Sequence, residues 1–210
     1  MNRDQLYQHL PLLIKRLFTW GLLASTLFLS FWYFGGLNLW GPFVSVPLKM
    51  AWFLGDIQFQ SGSTESAALL MDVVLEHGGS AQLKFPINLL NMSVVEVITL
   101  LALLPRENWK SFFRLAAWCF LFTWMYHCFH ASLQLYQMKI GPDLAGQVGM
   151  FWEPTTWYTI VENVAAFDTF ILRYWAGFPI FGLALLVDHL VSTRQPKPAP
   201  KKSGKRQAAK

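Results

Sequence analysis

Apolar residues run almost without interruption through four stretches of this chain, residues 17–39, 87–104, 112–133 and 171–191. Each is close to the ~20 residues an α-helix needs to cross the hydrocarbon core of a bilayer. The pattern predicts an all-α membrane protein, a four-span helical bundle with short outer-face loops. The first stretch follows Lys15 and Arg16 and ends at Gly35, Gly36 and a Gly41-Pro42 turn. Its apolar core exceeds the ~7–15 residues of a signal peptide, so an uncleaved anchor is expected. Pro105 stops the second stretch.

Two segments between the stretches break this pattern, residues 41–86 and 134–170. In the first, residues 44–54 are amphipathic and suit a short interfacial helix. Further on, Ala81-Gln82-Leu83-Lys84-Phe85 alternates in polarity, the period of a strand. With Ile57-Gln58-Phe59-Gln60 it predicts a small β element in an otherwise helical protein. In the second segment Pro154 holds off a helix until Thr155 or Thr156, either of which suits its N-cap.

Composition agrees with a membrane environment. The 210 residues are 54% hydrophobic and 14% charged, with 10 Trp and 18 Phe. A soluble domain carries roughly 25% charged residues. The length leaves no room for a second sizeable soluble domain. Charge then sets an orientation, because Lys and Arg favour the cytoplasmic side. With the N-terminus inside, Arg3, Lys15 and Arg16, then Arg106, Lys110 and Arg114, then the seven basic residues of the tail are all cytoplasmic. Lys49, Lys84, Lys139 and Arg173 remain at the outer side. The expected organisation is a cytoplasmic N-terminus (1–16), a membrane bundle (17–191) and a disordered basic cytoplasmic tail (192–210). The tail is rich in Pro, Lys, Ala and Ser, which bury too little to order themselves. It lacks the interleaved aromatics of nucleic-acid binding, so no nucleic acid is expected and membrane lipid is.

Polar residues gather at one end of three stretches. Asn88 and Asn91 open the second, with Ser93 and Glu96 just beyond; His127 and His130 close the third; Arg173 opens the fourth. Strongly polar groups at membrane depth face protein or a wet pocket. In alternating spans all of these fall near the outer face, and Asn88, Asn91, Glu96, His127, His130 and Arg173 are the candidate binding residues. Each has an alternative role. The Asn pair suits an N-cap. Glu96 suits an interhelical hydrogen bond. Arg173 suits snorkelling, or a poorly aligned pair with Asp168. The two His, three apart on one face, suit metal ligation, proton transfer or plain interfacial hydrogen bonds. No spacing selects a third ligand among Cys128, Glu153, Glu162 and Asp168, so neither a metal nor another cofactor is expected.

Cys119 and Cys128 lie about 13 Å apart along one helix, too far for a disulfide, and both suit packing. No Walker loop, GxSxG or HExxH occurs.

Residues 85–191 resemble the exosortase and archaeosortase membrane proteases in layout. Asn91-Met92-Ser93-Val94-Val95-Glu96 opens the span that carries the family's nucleophile. Leu103-Leu104-Pro105-Arg106 is similar to its cytoplasmic turn, His127-Cys128-Phe129-His130 to its next span end, and Arg173-Tyr174-Trp175-Ala176-Gly177-Phe178 to its last span start. The departures are specific. Asn91 or Met92 replaces the nucleophilic Cys, His replaces the expected Arg, and Arg173 replaces the expected His. Without a thiolate the nucleophilic step has no agent. The resemblance therefore implies a non-catalytic accessory protein, binding a peptide or lipid head group, with an exosortase or a sorted surface protein as partner. The alternative is a membrane hydrolase or transferase using Glu96 or His127/His130, with or without a metal.

Overall fold

The computed structural model describes residues 3–63, 66–75, 78–104 and 108–194. The Pro105-Arg106 turn and the basic tail from residue 195 lie outside the described residues.

The N-terminal helix is one long run. α1 (Arg3–Arg16) and α2 (Leu22–Phe31) join through a π turn at Leu17–Gly21. A second π turn, Trp32–Gly36, leads to α3 (Leu37–Lys49). Gly35 sits in this turn with φ of 132°, a conformation that a Cβ disfavours, so the run bends there. The expected Gly41-Pro42 turn is absent: both residues lie within α3, and Gly41 admits the Phe59 ring against the helix. Their difference in burial is marked. α2 buries no residue, whereas α3 buries Leu37, Val44 and Leu48 among others.

A three-stranded antiparallel sheet follows, in the order β1 (Asp56–Gln60), β2 (Ala68–Val74), β3 (Ser80–Pro86). Ile57 pairs with Met71 and Met71 with Leu83; Phe59 pairs with Leu69 and Leu69 with Phe85. These residues form the inner face, and they pack on α3 and on the far end of the long helix α5 (Trp109–Ile140). The other face is mixed, with Leu70 between Gln58 and Lys84, and Gln82 Nε2 donates to Asp72 Oδ1 at 2.9 Å.

A 3-10 turn, Ile87–Leu90, passes into α4 (Asn91–Leu103). Asn108 caps α5 by accepting from the Lys110 amide. After α6 (Pro142–Gln147), Thr155 caps α7 (Thr156–Phe167), its hydroxyl accepting from the Tyr158 amide. A π turn at Asp168–Leu172, the short α8 (Arg173–Trp175) and α9 (Gly177–Arg194) complete the described chain. α4, α5 and α9 enclose a second core of Val97, Leu115, Cys119, Ala176, Ile180 and Ala184.

Two features overturn the expected four-span all-α bundle. The sheet makes the protein mixed, although mostly helical. Among the described residues one helix, Leu10–Lys49, is long and apolar enough to cross a membrane; the bent pair Thr156–Trp175 and Gly177–Thr193 passes only if taken together. The reasons are local. α4 has only 13 residues. α5 is long, but His127, His130, Gln134 and Gln137 interrupt its apolar run. The fourth stretch is broken by a 68° bend next to Ala176. Within 134–170, α5 continues to Ile140, α6 follows, and α7 starts after its Thr155 cap. Only 6% of the most apolar window of Leu10–Lys49 is buried, unlike the core helix of a soluble protein.

The two ends of the helical part differ. At one, Arg114 pairs with Asp188, and Arg16 Nη1 donates to the Leu103 carbonyl at 3.4 Å. At the other stands the sheet, and the turn leading into it is tied to α5 by Lys139, whose Nζ donates to the Phe53 and Leu54 carbonyls. Arg114 and His130 are 16 residues apart on α5, about 24 Å of helix. That approaches the ~30 Å of a hydrocarbon core.

Candidate functional site: a polar cluster at the sheet end of the helices

α5 carries two histidines one turn apart, and each is held by a different set of partners. His127 is fully buried. Trp40 of α3 donates its indole N–H to His127 Nδ1 at 2.9 Å. An indole nitrogen only donates, so Nδ1 must accept and the ring proton sits on Nε2. Nε2 lies 2.8 Å from Ser93 Oγ and therefore donates to it. In this tautomer His127 has no lone pair left to take a proton from Ser93. The Trp40–His127–Ser93 chain ties α3, α5 and α4 together, and it does not activate a serine.

His130 is equally buried and donates from Nδ1 to Asp168 Oδ2. The other carboxyl oxygen accepts from the Tyr126 hydroxyl at 3.0 Å. Asp168 is thus fully engaged. This orients the imidazole as carboxylates orient general bases. A base also needs something to deprotonate, and no hydroxyl or thiol is bonded to His130 Nε2 among the described residues.

Glu96 reaches across to another helix. Its Oε2 accepts from the Gly177 amide at 2.7 Å, supplying the first turn of α9 with an acceptor that the chain before it does not provide. Gly177 must be glycine for this approach. A Cβ there would collide with the Glu96 side chain and stand 3.1 Å from the Ser93 carbonyl. Gly177→Ala is therefore expected to destabilise the protein by about 1–3 kcal/mol, read as a lower unfolding temperature in detergent. An unchanged melting curve would mean that α4 and α9 do not approach this closely.

The remaining candidates are less satisfied. Arg173 is partly buried; its guanidinium lies 5.4 Å from the Tyr174 ring centroid, and its buried Nε has no partner. The π turn explains its position. Asp168 and Arg173 are five apart, out of line in an α-helix, yet the Arg173 amide bonds to the Asp168 carbonyl around the wider turn and aligns them. Even so, their side chains form no ion pair; Asp168 is taken by His130 and Tyr126. Asn88 Oδ1 is buried without a partner, and Asn91 opens α4 half-buried.

The structure thus holds Glu96, His127 and His130 in three separate bonded sets, with the Gly177 amide, with Trp40 and Ser93, and with Tyr126 and Asp168, and leaves Asn88 and Arg173 each with a buried unpartnered atom. Trp40 and Tyr126 are not among the candidate binding residues of the sequence. Tyr126 stands one helical turn before His130, a spacing that marks a shared face; nothing in the sequence marks Trp40. Among the described residues no three His, Cys, Asp or Glu side chains are grouped to hold a metal ion. Asp188 and His189 lie far from the cluster, Asp188 being paired with Arg114. Both cysteines are free; Cys119 is buried in the α4–α5–α9 core and Cys128 is half-buried, packed against the α3–sheet core. No family model matches the chain, and neither a curated protein nor a solved structure does.

Proposed function

We propose that this is an accessory protein of exosortase-like type in the bacterial inner membrane, non-catalytic, which binds the anionic group of a peptide at the sheet end of its helices. One observation carries the reading. The groups suited to catalysis are committed to one another, while Arg173 Nε and Asn88 Oδ1 are buried with nothing to bond. Unmet buried polar groups are unfavourable, and a ligand that meets them recovers that energy. Arg173 supplies charge and a forked donor set to a carboxylate or phosphate. Asn88 and Asn91 supply amide hydrogen bonds to a peptide backbone.

In this reading the N-terminal helix and the bent α7–α9 pair are the spans, with α4 and α5 packed beside them. Both termini are then cytoplasmic, on the side of Arg16 and Arg114, and the sheet faces outward. The N-terminal helix stays attached, because α3 belongs to the core and Trp40 belongs to the polar cluster. The partner is an exosortase or one of the surface proteins it sorts.

Gene neighbours that encode an exosortase and proteins with C-terminal sorting tails would supply the probe, a labelled peptide of that tail. Arg173→Ala is expected to weaken binding of this peptide by about 10- to 100-fold, the range of a charged hydrogen bond. Lys84→Ala, on the exposed sheet face, should leave it unchanged. Equal binding by the Arg173→Ala protein, or preference for anionic phospholipid vesicles over the peptide, overturns the reading.

A further inference from the structure

We propose that a groove between the N-terminal helix and the α4–α5 pair is a binding site for one membrane phospholipid. Its acyl chain would fill the groove, and an acceptor oxygen would bond to Trp32 and Thr123. The groove encloses about 390 Å³ and lies across α4 from Gly177, so it is separate from the Arg173 site. Phe28 and Trp40 form one wall, Val97 and Ile98 a second, and Cys119 and Thr123 a third.

Its walls are almost wholly apolar, and a cavity of that kind does not hold water. Its rim is Phe31, Leu39, Phe43 and Phe120, each more than half exposed. One wall belongs to Leu10–Lys49, the helix long and apolar enough to cross a membrane. The medium that meets this opening is therefore lipid.

A second observation points to a specific molecule rather than passing acyl chains. Trp32 and Thr123 both line the groove and are 4% and 3% exposed. Trp32 Nε1 and Thr123 Oγ1 are buried, and neither has a hydrogen-bond partner. Thr99, by contrast, bonds to the Val95 carbonyl of its own helix. An indole N–H needs an acceptor, and a threonine hydroxyl can donate to the same one. Trp32 also packs with the sheet-end core, where a lipid ester carbonyl would lie. A hydrocarbon alone would leave both polar atoms unmet.

The test uses the full chain, purified in detergent and examined by native mass spectrometry while phosphatidylglycerol is titrated in. One tightly held lipid per chain is expected. Ala116→Phe fills the groove from its α5 wall and should abolish that species. Thr123→Val keeps the shape and removes the hydroxyl; it should weaken retention about fivefold or more, in line with one lost hydrogen bond. Phe178→Ala, on α9, should leave retention unchanged. If Ala116→Phe does not fold, Thr123→Val decides alone. Wild-type retention by Thr123→Val overturns the proposal. So does a photo-crosslinker in place of Phe120 that captures polypeptide, another protein or a second copy of this chain, instead of lipid.

Discussion

Asp168→Ala is expected to lower stability by about 3–5 kcal/mol, the range for removing one member of a buried pair. Both oxygens of Asp168 are in use, one by His130 and one by Tyr126, and the side chain is sealed from solvent. Alanine would leave an imidazole N–H and a phenol with no acceptor. Asp168→Asn retains one acceptor oxygen, so it should lose less than half as much. Unfolding in detergent, followed by near-UV circular dichroism, would read both. An Asp168→Ala protein within about 0.5 kcal/mol of the parent, the range of a neutral surface substitution, would show that the cluster is not structural.

Phe85→Ala should act at the sheet. The Phe85 side chain is fully buried, pairs across the strands with Leu69 and meets the His130 ring edge-on at 5.6 Å. Removing a buried phenylalanine costs about 3–5 kcal/mol. The sheet has only three strands, and it depends on its packing against α3 and α5. Limited proteolysis of Phe85→Ala should therefore cut within residues 56–86 well before it cuts the helices. Simultaneous cleavage throughout, or no change, would argue that the sheet and helices do not depend on this contact.

β3 was legible because its pattern is strict alternation, and the structure buries Ala81, Leu83 and Phe85 on one face. β2 was not. Ala68-Leu69-Leu70-Met71 is a continuous apolar run with no period to read, because Leu70, half-buried on the outer face, is as apolar as its inward neighbours Leu69 and Met71. The apolar stretches are real helices, but counting them as spans failed. Hydropathy runs do not reveal a bend such as the one beside Ala176, or how short α4 is. Asn88, Asn91, Glu96, His127, His130 and Arg173 were legible as costly polar groups in apolar surroundings. Their bonding was not. Asp168 was placed with Arg173 or a metal; its partners, His130 and Tyr126, lie on α5, and no spacing along the chain reports a contact between helices.

The bend at Gly35 splits one continuous helix into two kinds of text. Ahead of it, α2 buries no residue, although it packs along α4 and shares with it one hydrogen bond, Ser25 to Thr99. Apart from Phe28, which walls the groove, its side chains are specified by being apolar and of helical propensity, so leucine, phenylalanine and isoleucine are near-synonyms there. Beyond the bend, Leu37, Trp40, Val44 and Leu48 each occupy a defined place in the core or in the His127 chain. Over time the first half is free to drift in spelling while keeping its meaning, and the second half is held letter by letter. A boundary in substitution rate should therefore fall within a helix, at a glycine.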